Sequence, residues 1–463
     1  MSFFLPAAFR QRMQTLLGDE SGAFFESYTQ PLRRGLRVNT CKCAAERFRE
    51  LFALPLSPIP FAPDGFWVGG DLRAGADPLH HAGAYYMQEP SAMSAVTLLA
   101  PRPGERVLDL CAAPGGKSTQ IAAALRGQGV LWSNEYVRSR AQILQQNLER
   151  CGVTNAVVSS ADAQTVCGAL DGWFDAVLVD APCSGEGMFR KEPAALEQWS
   201  LDNIRLCAGR QRDILRAAAR AVRPGGRLVY STCTFAPEEN ECQLALFLAE
   251  HPEFELADGG VTFGRSAFSW EQVAAFAPAG TPEPANLSYA RRILPQDGGE
   301  GHFLALLRHK GDTVRSTAAY TPPRTDESAR ACAELYAACF CTPPRGHFVT
   351  VGGTVRLLPE GLPPLNGTGV LTAGVAVGEI CKNRVEPCHS VFMAAMPDDC
   401  RSVCRLEQDD ARVTAFLRGE EIAVPEECRG WTAVAVADVV TGFGKASGGR
   451  LKNRYPKGLR LRG

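Results

Sequence analysis

The sequence predicts an α/β protein with an open, doubly wound parallel sheet in its middle part, residues 96–310. Short runs of β-branched and other apolar residues alternate there with long amphipathic stretches, a pattern typical of βαβ units. A glycine-rich turn joins the first run to the first amphipathic stretch, and an acidic residue follows each of the next three runs. Because the carboxyl ends of parallel strands meet at one edge of a sheet, these residues should line one crevice. The domain is therefore predicted to be Rossmann-like.

The strands and helices of this domain can be assigned in order. The predicted strands are VLDL (107–110), VLWSNE (130–135), AVVSSADA (156–163), AVLVD (176–180), RLVYST (227–232) and HFLALLRH (302–309). The predicted helices are STQIAAALRG (118–127), RSRAQILQQNLERCG (138–152) and DNIRLCAGRQRDILRAAARAV (202–222). Gly225 and Gly226, after Pro224, are expected to end the last helix and open the next strand. Residues 256–300 show little periodicity and are expected to form loops or an insertion.

The two ends of the chain are predicted to form separate regions. Residues 1–95 are an N-terminal extension that contains the basic strip PLRRGLRVNT at 31–40. Residues 311–330 are polar with a Pro-Pro pair, the composition of a linker. Residues 331–463 contain short strand-like pieces, HFVTVGG, TVRLLP and TAVAVADVV, separated by glycine and proline. They predict a small α/β or β-rich region, either one module or two.

Bulk composition argues against several classes of protein. The chain has 463 residues, a net charge of −1 and an ordinary 45% of hydrophobic residues. No apolar run approaches the roughly 18 residues of a membrane span, and the first residues lack the cationic segment of a signal peptide. An odd number of cysteines, 17, without an export signal predicts free thiols in the reducing cytoplasm. The close cysteine pairs lack zinc-site spacing, so no metal is expected.

A cofactor site is predicted at the glycine-rich turn, CAAPGGK (111–117). Gly115 and Gly116 let the backbone approach a ligand closely, and the next helix presents free N–H groups. The turn matches neither GxGxxG nor a phosphate-binding loop, and by itself it could equally be a tight strand–helix connection.

The acidic residues at the strand ends strengthen this interpretation. Glu135 follows the second strand, twenty positions after Gly115, and is expected to accept hydrogen bonds from ribose hydroxyls. Asp162 follows the third strand and is expected to meet an adenine ring, and Asp180 ends the fourth. A site this acidic suits a cofactor that has an adenosine and no phosphates, and the cationic S-adenosylmethionine has both properties.

Two cysteines stand where strands meet the predicted crevice. Cys183 lies in DAPCSGEGMFRK (180–191) and Cys233 in STCTFAPEEN (231–240). Carbon 5 of cytosine is a poor nucleophile until a thiolate adds to carbon 6 and makes carbon 5 enamine-like. Such covalent catalysis needs a thiol, an acid group and a nearby cofactor, which Cys233, Asp180 and the Gly115 turn would supply. Most of the other cysteines are expected to be inert core residues.

The motifs CAAPGGK, DAPCSGEGMFRK and YSTCTFAPEENE together resemble those of the Sun family of RNA cytosine-5 methyltransferases. RGLRVNT and HHAGAYYMQEPSAM (80–93) resemble the family's leading motifs. The C-terminal segments at 371–390 and 430–460 are similar to the bacterial 16S ribosomal RNA members of the RsmF type, which end in a PUA-like RNA-binding domain. The resemblance implies S-adenosylmethionine-dependent methylation of cytosine C5 in RNA, most of all in 16S ribosomal RNA.

The resemblance also implies roles for individual residues. Cys233 would be the nucleophile, Cys183 would help to release the product, and Asp180 would serve both catalysis and cofactor binding. The full set of implied cofactor contacts is Cys111, Ala112, Ala113, Pro114, Gly115, Gly116, Lys117, Glu135, Asp162 and Asp180.

Basic residues favour RNA as the partner, with the N-terminal extension helping to recognise it. The tail after Asp438 contains no acidic residue, and Phe443 and Tyr455 lie among its basic residues, where cations could contact phosphates and aromatic rings could stack on bases. A solvated, disordered tail is the alternative. The basic residues of the tail are Lys445, Arg450, Lys452, Arg454, Lys457, Arg460 and Arg462.

Other substrates and roles remain open at this stage. Transfer RNA is a possible substrate, whereas DNA enzymes generally use the Pro-Cys thiol as nucleophile and would not need Cys233. A non-catalytic RNA-binding assembly factor is a second alternative, which both retained thiols and all three acids disfavour. We expect a monomer that does not associate with membranes.

Overall fold

The computed structural model describes residues 5–312, 316–382 and 384–461. A ten-stranded mixed sheet forms the centre of the molecule. A four-stranded sheet precedes it in the N-terminal region, and two smaller sheets follow toward the C-terminus. The described part of the chain has no helix that is long and apolar enough to cross a membrane.

The N-terminal region is a four-stranded antiparallel sheet with short helices around it. Phe9 and Phe24 of its first two helices make edge contacts with Phe189 and Phe235, at ring-centroid distances of 5.1 and 5.2 Å. These contacts bury the N-terminal helices against the two cysteine motifs. The helices are α1 Ala7–Leu17, α2 Ser21–Ser27, α3 Ala45–Leu51, α4 Pro78–His81 and α5 Ser94–Leu99, and the strands are β1 Arg34–Val38, β2 Leu56–Pro58, β3 Gly65–Val68 and β4 Tyr85–Met87.

The central domain is the predicted doubly wound sheet. Its strands are β5 Arg106–Asp109, β6 Val130–Asn134, β7 Ala156–Ser159, β8 Phe174–Asp180, β9 Val222–Thr232, β10 Phe254–Ala257, β11 Arg265–Ser266, β12 Arg291–Ile293 and β13 His302–His309. Its helices are α6 Gly116–Leu125, α7 Arg138–Arg150, α8 Ala163–Ala169, α9 Pro193–Gln198, α10 Leu201–Ala221, α11 Glu241–Glu250 and α12 Trp270–Val273. All six predicted strands and all three predicted helices of this domain are present.

The topology of this sheet creates a crevice at the predicted place. Strands β7, β6, β5, β8 and β9 lie side by side and parallel, and β13 is antiparallel to β9. Strand order reverses between β5 and β8, because the chain moves outward to β6 and β7 before it returns. Such a reversal leaves a ligand-binding crevice at the carboxyl ends of the strands. Apolar clusters cover both faces of the sheet.

The expectation for Gly225 and Gly226 was wrong in its details. Helix α10 ends at Ala221, and β9 begins at once with Val222, so the glycines lie inside the strand. There the pairing with β8 shifts register, and Gly225 has a φ of +71°. A Cβ on Gly226 would lie 3.0 Å from the carbonyl oxygen of Asp175. The pair therefore permits a bulge in β9 rather than ending the helix.

The C-terminal region contains two further sheets and one strand of the central sheet. Strand β16 pairs with β7 next to the third strand end, and the Ser160 N–H donates to the Gly369 carbonyl at 2.9 Å. Helix α13 begins at Glu327, within the stretch expected to be a linker. The strands are β14 His347–Val351, β15 Thr354–Leu358, β16 Val370–Ala373, β17 Val375–Cys381, β18 Arg384–Pro387, β19 Val403–Leu406, β20 Ile422–Ala423, β21 Gly430–Val436, β22 Val439–Ser447 and β23 Arg450–Asn453, and the helices are α13 Glu327–Cys339, α14 His389–Met393 and α15 Ala411–Arg418.

Residues 439–461 contain ordered strands and are not a disordered tail, and Arg462, the last of the predicted basic residues, lies outside the described residues. TAVAVADVV is two strands, β21 and β22, joined by a tight turn in which Ala437 and Asp438 both have positive φ. Phe443 stacks on Phe392 at 4.4 Å and is 3% exposed. Tyr455 is 2% exposed. The prediction that Phe443 and Tyr455 stack on RNA bases was therefore wrong, because both rings belong to the core.

Candidate active site

Asp180 is the centre of the crevice. It ends β8 and receives a hydrogen bond from the Lys117 ammonium at 2.6 Å on Oδ2 and one from the Ser231 hydroxyl at 2.7 Å on Oδ1. Burial opposes its ionisation, but the Lys117 ammonium and the His302 imidazole outweigh burial and hold the pKa of Asp180 well below its usual range. Asp180 is therefore an anchored carboxylate, with 27% of its side chain open to the crevice.

The glycine-rich turn lies beside Asp180 and begins helix α6. Gly115 has a φ of +113°, which side-chain-bearing residues rarely adopt. A Cβ on Gly116 would lie 3.3 Å from the Tyr86 ring, so the N-terminal region closes over the turn. Helix α7 braces the turn from the other side, because Asn147 Nδ2 donates to the Pro114 carbonyl at 2.9 Å and Arg140 donates to that of Ala113 at 3.1 Å.

Arg37 lies in the interface beside the glycine-rich turn rather than on an RNA-binding surface. Its guanidinium is 1% exposed and donates to Gln88 Oε1 at 3.0 Å and to Thr119 Oγ1 at 2.7 Å. The basic strip around residues 31–40 therefore contributes one arginine to the interface between the N-terminal region and α6. Arg34 remains exposed and donates one hydrogen bond to the Leu72 carbonyl at 2.8 Å.

Asp109 is a candidate cofactor ligand that the sequence analysis missed. It is fully buried at the end of β5, and its Oδ2 accepts a hydrogen bond from Ser118 at 2.6 Å. Its Oδ1 has no hydrogen-bond partner among the described residues. Burial raises the pKa of Asp109 to about 7. The signal was present in the sequence, because an acid inside a buried strand just before a glycine turn needs a polar partner.

Glu135 and Asp162 lie at successive strand ends but are held differently. Glu135 is 4% exposed; its Oε1 accepts the Val137 N–H at 2.9 Å, and Arg140 lies 3.3 Å from its Oε2. Asp162 is exposed and caps α8, accepting from the N–H and the hydroxyl of Thr165, both at 2.8 Å. These hydrogen bonds lower the pKa of Asp162. The structure thus gives Asp162 a capping role that is independent of any ligand.

Cys111 and Ala112 connect the turn to the sheet. The Ala112 N–H donates to the Asn134 carbonyl at 2.8 Å. Burial, with the carboxylates of Asp109 and Asp180 nearby, raises the pKa of the Cys111 thiol well above its usual value. Cys111 is thus a protonated, unreactive thiol at the wall of the crevice.

The two predicted reacting cysteines are brought together. Cys183 Sγ and Cys233 Sγ lie 3.2 Å apart, one after β8 and the other after the neighbouring strand β9. The hydrogen bond to Cys233, with burial adding to it, raises the pKa of the Cys183 thiol well above its usual value. Cys183 therefore retains its proton at neutral pH.

Two buried glutamates hold the cysteine loops in place. Glu239 accepts from the N–H and the hydroxyl of Ser184 and from Gln211 Nε2 at 2.7 Å, and burial raises its pKa to about 7. Glu186 accepts the Phe235 N–H at 2.9 Å. Each glutamate therefore ties one cysteine motif to the other. Neither glutamate was predicted as part of the site, although each lies within one of the two cysteine motifs.

The arrangement fits S-adenosylmethionine. An unpartnered carboxylate oxygen on Asp109, the acids Glu135 and Asp180, and a glycine turn that admits close backbone approach suit a cationic adenosine compound. The described residues contain no group of three or more histidine, cysteine or acidic side chains that could hold a metal ion. Fold and site together define a Rossmann-like methyltransferase, and S-adenosylmethionine is the cofactor of this class.

Comparison with known proteins identifies the family. Residues 96–308 match the family model for the 16S rRNA methyltransferase RsmB/F, and residues 5–90 match the N-terminal domain of 16S rRNA methyltransferase RsmF. Residues 332–394 match the RsmF rRNA methyltransferase first C-terminal domain, and residues 404–461 match the methyltransferase RsmF PUA domain. The chain is 33% identical to ribosomal RNA small subunit methyltransferase F of Vibrio campbellii over 98% of both chains. It belongs to this family of RNA methyltransferases, as the motifs predicted.

Further similarities agree with this assignment. Ribosomal RNA small subunit methyltransferase F of Erwinia tasmaniensis is 43% identical over 262 residues, which cover 54% of this chain and 55% of that protein. Among solved structures, a methyltransferase homolog protein from Pyrococcus horikoshii aligns with a TM-score of 0.58 and 29% identity, covering 66% of this chain and 96% of that one. NSun6 from the same organism aligns with a TM-score of 0.56 at 21% identity, covering 67% and 100%, which supports the fold.

Proposed function

We propose that this chain methylates carbon 5 of a cytosine in small-subunit ribosomal RNA, through a covalent bond between Cys233 and carbon 6 of the base. The observation that carries the proposal is the pair of thiols, Cys183 and Cys233, 3.2 Å apart at neighbouring strand ends beside Asp180. An enzyme that methylates an exocyclic nitrogen or a ribose hydroxyl has no use for two adjacent thiols. The names of the relatives support ribosomal RNA as the substrate.

The proposed reaction begins with Cys233. Its thiolate adds to carbon 6 of the cytosine, which breaks the conjugation of the ring and makes carbon 5 nucleophilic. Asp180, fixed by Lys117 and Ser231, would face the polar edge of the base and accept a hydrogen bond from N3, where a proton from solvent neutralises the negative charge that the addition leaves. When bound, S-adenosylmethionine supplies the electrophilic methyl group that carbon 5 takes up. The residues that we propose hold it are the turn 111–117 with Glu135, Asp162 and Asp180.

Cys183 is assigned to the second half of the reaction. After methylation, carbon 5 carries a proton that must leave before the bond between Cys233 and carbon 6 can break. Cys183 lies beside Cys233 with its proton retained, so it would not compete as nucleophile. We assign it to a proton relay in the elimination: Cys183 gives its proton to the departing sulfur of Cys233 and takes up the proton from carbon 5, whose bonding pair forms the double bond between carbon 5 and carbon 6. The product is released and both thiols are restored.

The target base must leave its stack to reach Cys233, and loops or single strands of RNA release a base most easily. The chemistry would be confined to residues 96–310, with RNA binding in 331–463 and in the N-terminal extension. We propose that the protein acts in the cytoplasm, where ribosomal RNA is made.

The proposal can be tested by mapping 5-methylcytosine directly. Purified protein is incubated with S-adenosylmethionine and either naked 16S ribosomal RNA, small ribosomal subunits or transfer RNA, and bisulfite sequencing locates protected cytosines. We expect one or a few sites in the small-subunit RNA and none with Cys233→Ala. Methylation confined to transfer RNA would contradict the substrate, and methyl incorporation without bisulfite protection would contradict the position on the base.

A further inference from the structure

His302 lies in the active crevice although no motif marks it. It is the first residue of β13, the strand antiparallel to β9, where Leu304 pairs with Ser231. Directly opposed residues share a face of the sheet, and so do residues two apart along a strand. His302 is therefore on the same face as Ser231, and Asp180 lies there as well because it is paired with Ser231 on the other side.

The imidazole of His302 is buried and makes no hydrogen bond of ordinary length. The residue is 3% exposed, and neither Nδ1 nor Nε2 has a hydrogen-bond partner among the described residues. Its Nε2 lies 3.5 Å from Asp180 Oδ1, at the outer limit of a hydrogen bond. Burying a polar ring without partners is unfavourable, and an apolar side chain would fill the same space without that penalty. An imidazole in this position therefore points to a partner that forms during the reaction.

We propose that His302 is a positioning residue for Asp180, donating from Nε2 to Oδ1 once a cytosine occupies the crevice. Lys117 already holds Oδ2, and Ser231 holds Oδ1 from one side only. A second donor on Oδ1, the third on the carboxylate, fixes the rotation of the carboxylate and so fixes the direction of its remaining lone pair toward the base. Hydrogen bonds in catalytic sites are often long without substrate and shorten in the reactive complex. The inference rests on the proposed contact between Asp180 and the cytosine.

The test compares three variants of the full-length protein. His302→Phe removes both ring nitrogens and keeps the volume, His302→Gln keeps an N–H donor, and His309→Phe is the matched control at the far end of the same strand. Steady-state kinetics with the methylated RNA substrate give kcat and the KM for S-adenosylmethionine. A lost hydrogen bond to a charged group corresponds to roughly a 10- to 150-fold change in rate.

We expect His302→Phe to lower kcat by about that factor, with the KM for S-adenosylmethionine changed by less than about twofold, because the bond forms only in the reactive complex. His302→Gln should recover at least part of the loss, and His309→Phe should behave as wild type. Unchanged kcat in His302→Phe, or equal losses in the Phe and Gln variants, would overturn the proposal. A wild-type protein that methylates no cytosine would overturn the proposed function instead, so the two failures are distinguishable.

Discussion

The sulfur atoms of Cys183 and Cys233 lie 3.2 Å apart, although fifty positions of the chain separate them. The parallel pairing of β8 with β9 brings them together, because each cysteine follows its strand by one turn or less. The hydrogen bond to Cys233 and burial raise the pKa of the Cys183 thiol well above its usual value, so Cys183 has a proton to exchange with its neighbour.

Cys233→Ala is expected to abolish methyl transfer and leave cofactor binding intact. Without the thiol, carbon 5 of the base cannot become enamine-like, whereas the turn and the acids that would hold the cofactor are unchanged. Incorporation of labelled methyl groups into RNA measures the first effect, and calorimetric titration with S-adenosylhomocysteine measures the second. Cys341→Ala, an exposed thiol in the C-terminal region, is the matched control. Activity near the wild-type level in Cys233→Ala would show that Cys233 is not the nucleophile.

Cys183→Ala is expected to trap a covalent complex between protein and RNA. Addition of Cys233 and methylation do not need Cys183, but the release of Cys233 from carbon 6 would then lack its proton-transfer partner. Denaturing gel electrophoresis should show a slower band that ribonuclease removes and that Cys233→Ala introduced in the same chain abolishes. If Cys233→Ala alone gives the band and Cys183→Ala does not, the two roles are reversed.

The sequence was sufficient to predict which side chains meet at the carboxyl ends of the parallel strands. Cys183, Cys233 and Asp180 were predicted to meet because their strands were recognisable and the carboxyl ends of neighbouring strands share one edge. His302 was not predicted as part of the site. It enters through an antiparallel strand far along the chain, whose place beside β9 no local pattern specifies.

Burial of individual side chains was harder to predict than the elements that carry them. Phe443 was assigned to an RNA surface because it lies among basic residues, but α14 covers its face of the sheet. Arg37 was assigned to a basic strip, yet it is buried against α6. Charge and aromatic patterns show which residues are available for a surface, whereas packing between distant elements decides which of them reach it.

Glu135→Ala is expected to weaken S-adenosylhomocysteine binding and leave RNA binding unchanged. A lost hydrogen bond to a charged group costs about 1.5–3 kcal/mol, or roughly a 10- to 150-fold higher Kd. Asp162→Asn is the matched comparison, because asparagine also caps helices and so preserves α8. Isothermal titration calorimetry measures both. A Kd unchanged by Glu135→Ala would mean that Glu135 does not contact the cofactor. It would then serve only to accept the Val137 N–H and to pair with Arg140.

Glu239→Gln is expected to remove one pH-dependent component of stability. Burial raises the pKa of Glu239 from 4.5 to about 7 in the folded protein. Because the folded pKa lies above the unfolded one, the stabilising contribution is complete below about pH 4.5 and is lost as the pH rises to about 7. The loss amounts to about 3 kcal/mol at roughly 1.4 kcal/mol per pKa unit. Glutamine imitates the neutral carboxyl and should not show this loss.

Urea unfolding of wild type and Glu239→Gln at several pH values between 2 and 8 checks this expectation. The free energy of unfolding of the wild type should fall relative to that of the variant as the pH increases across the window. Glu250→Gln should show the opposite sign at acidic pH, because its partners Arg216 and Arg212 lower the pKa of Glu250 to about 2. Parallel pH profiles for wild type and Glu239→Gln would show that the pKa of Glu239 is the same in the folded and the unfolded protein.

The basic face of β21, β22 and β23 is expected to contribute to RNA affinity. Lys445 pairs with Trp431 on one side and Lys452 on the other, so the three side chains share a face of the sheet. Lys445 and Arg454 both lie over the half-buried Trp431 ring, at 5.3 and 5.6 Å. Truncating the chain after Asp438 would remove two strands of this sheet, so substitution of the exposed cations is the cleaner experiment.

We expect the triple variant Lys445→Gln, Lys452→Gln, Arg454→Gln to bind RNA more weakly and with a smaller salt dependence. Each cation that neutralises a phosphate contributes about 0.7 to the salt slope for a single strand and about 0.9 for a duplex, so three contacts correspond to a decrease of about 2. S-adenosylhomocysteine affinity should be unchanged, since the acids that would hold the cofactor lie in the central domain. The matched control removes three exposed arginines of α10, at positions 205, 210 and 220.

Because the chain has a net charge of −1, it has no general attraction for phosphate, and a local patch must supply that attraction. Equal slopes for the triple variant and the control would place the phosphate contacts elsewhere, beginning with Arg33 of the N-terminal region, whose guanidinium lies 5.3 Å from the Trp67 ring.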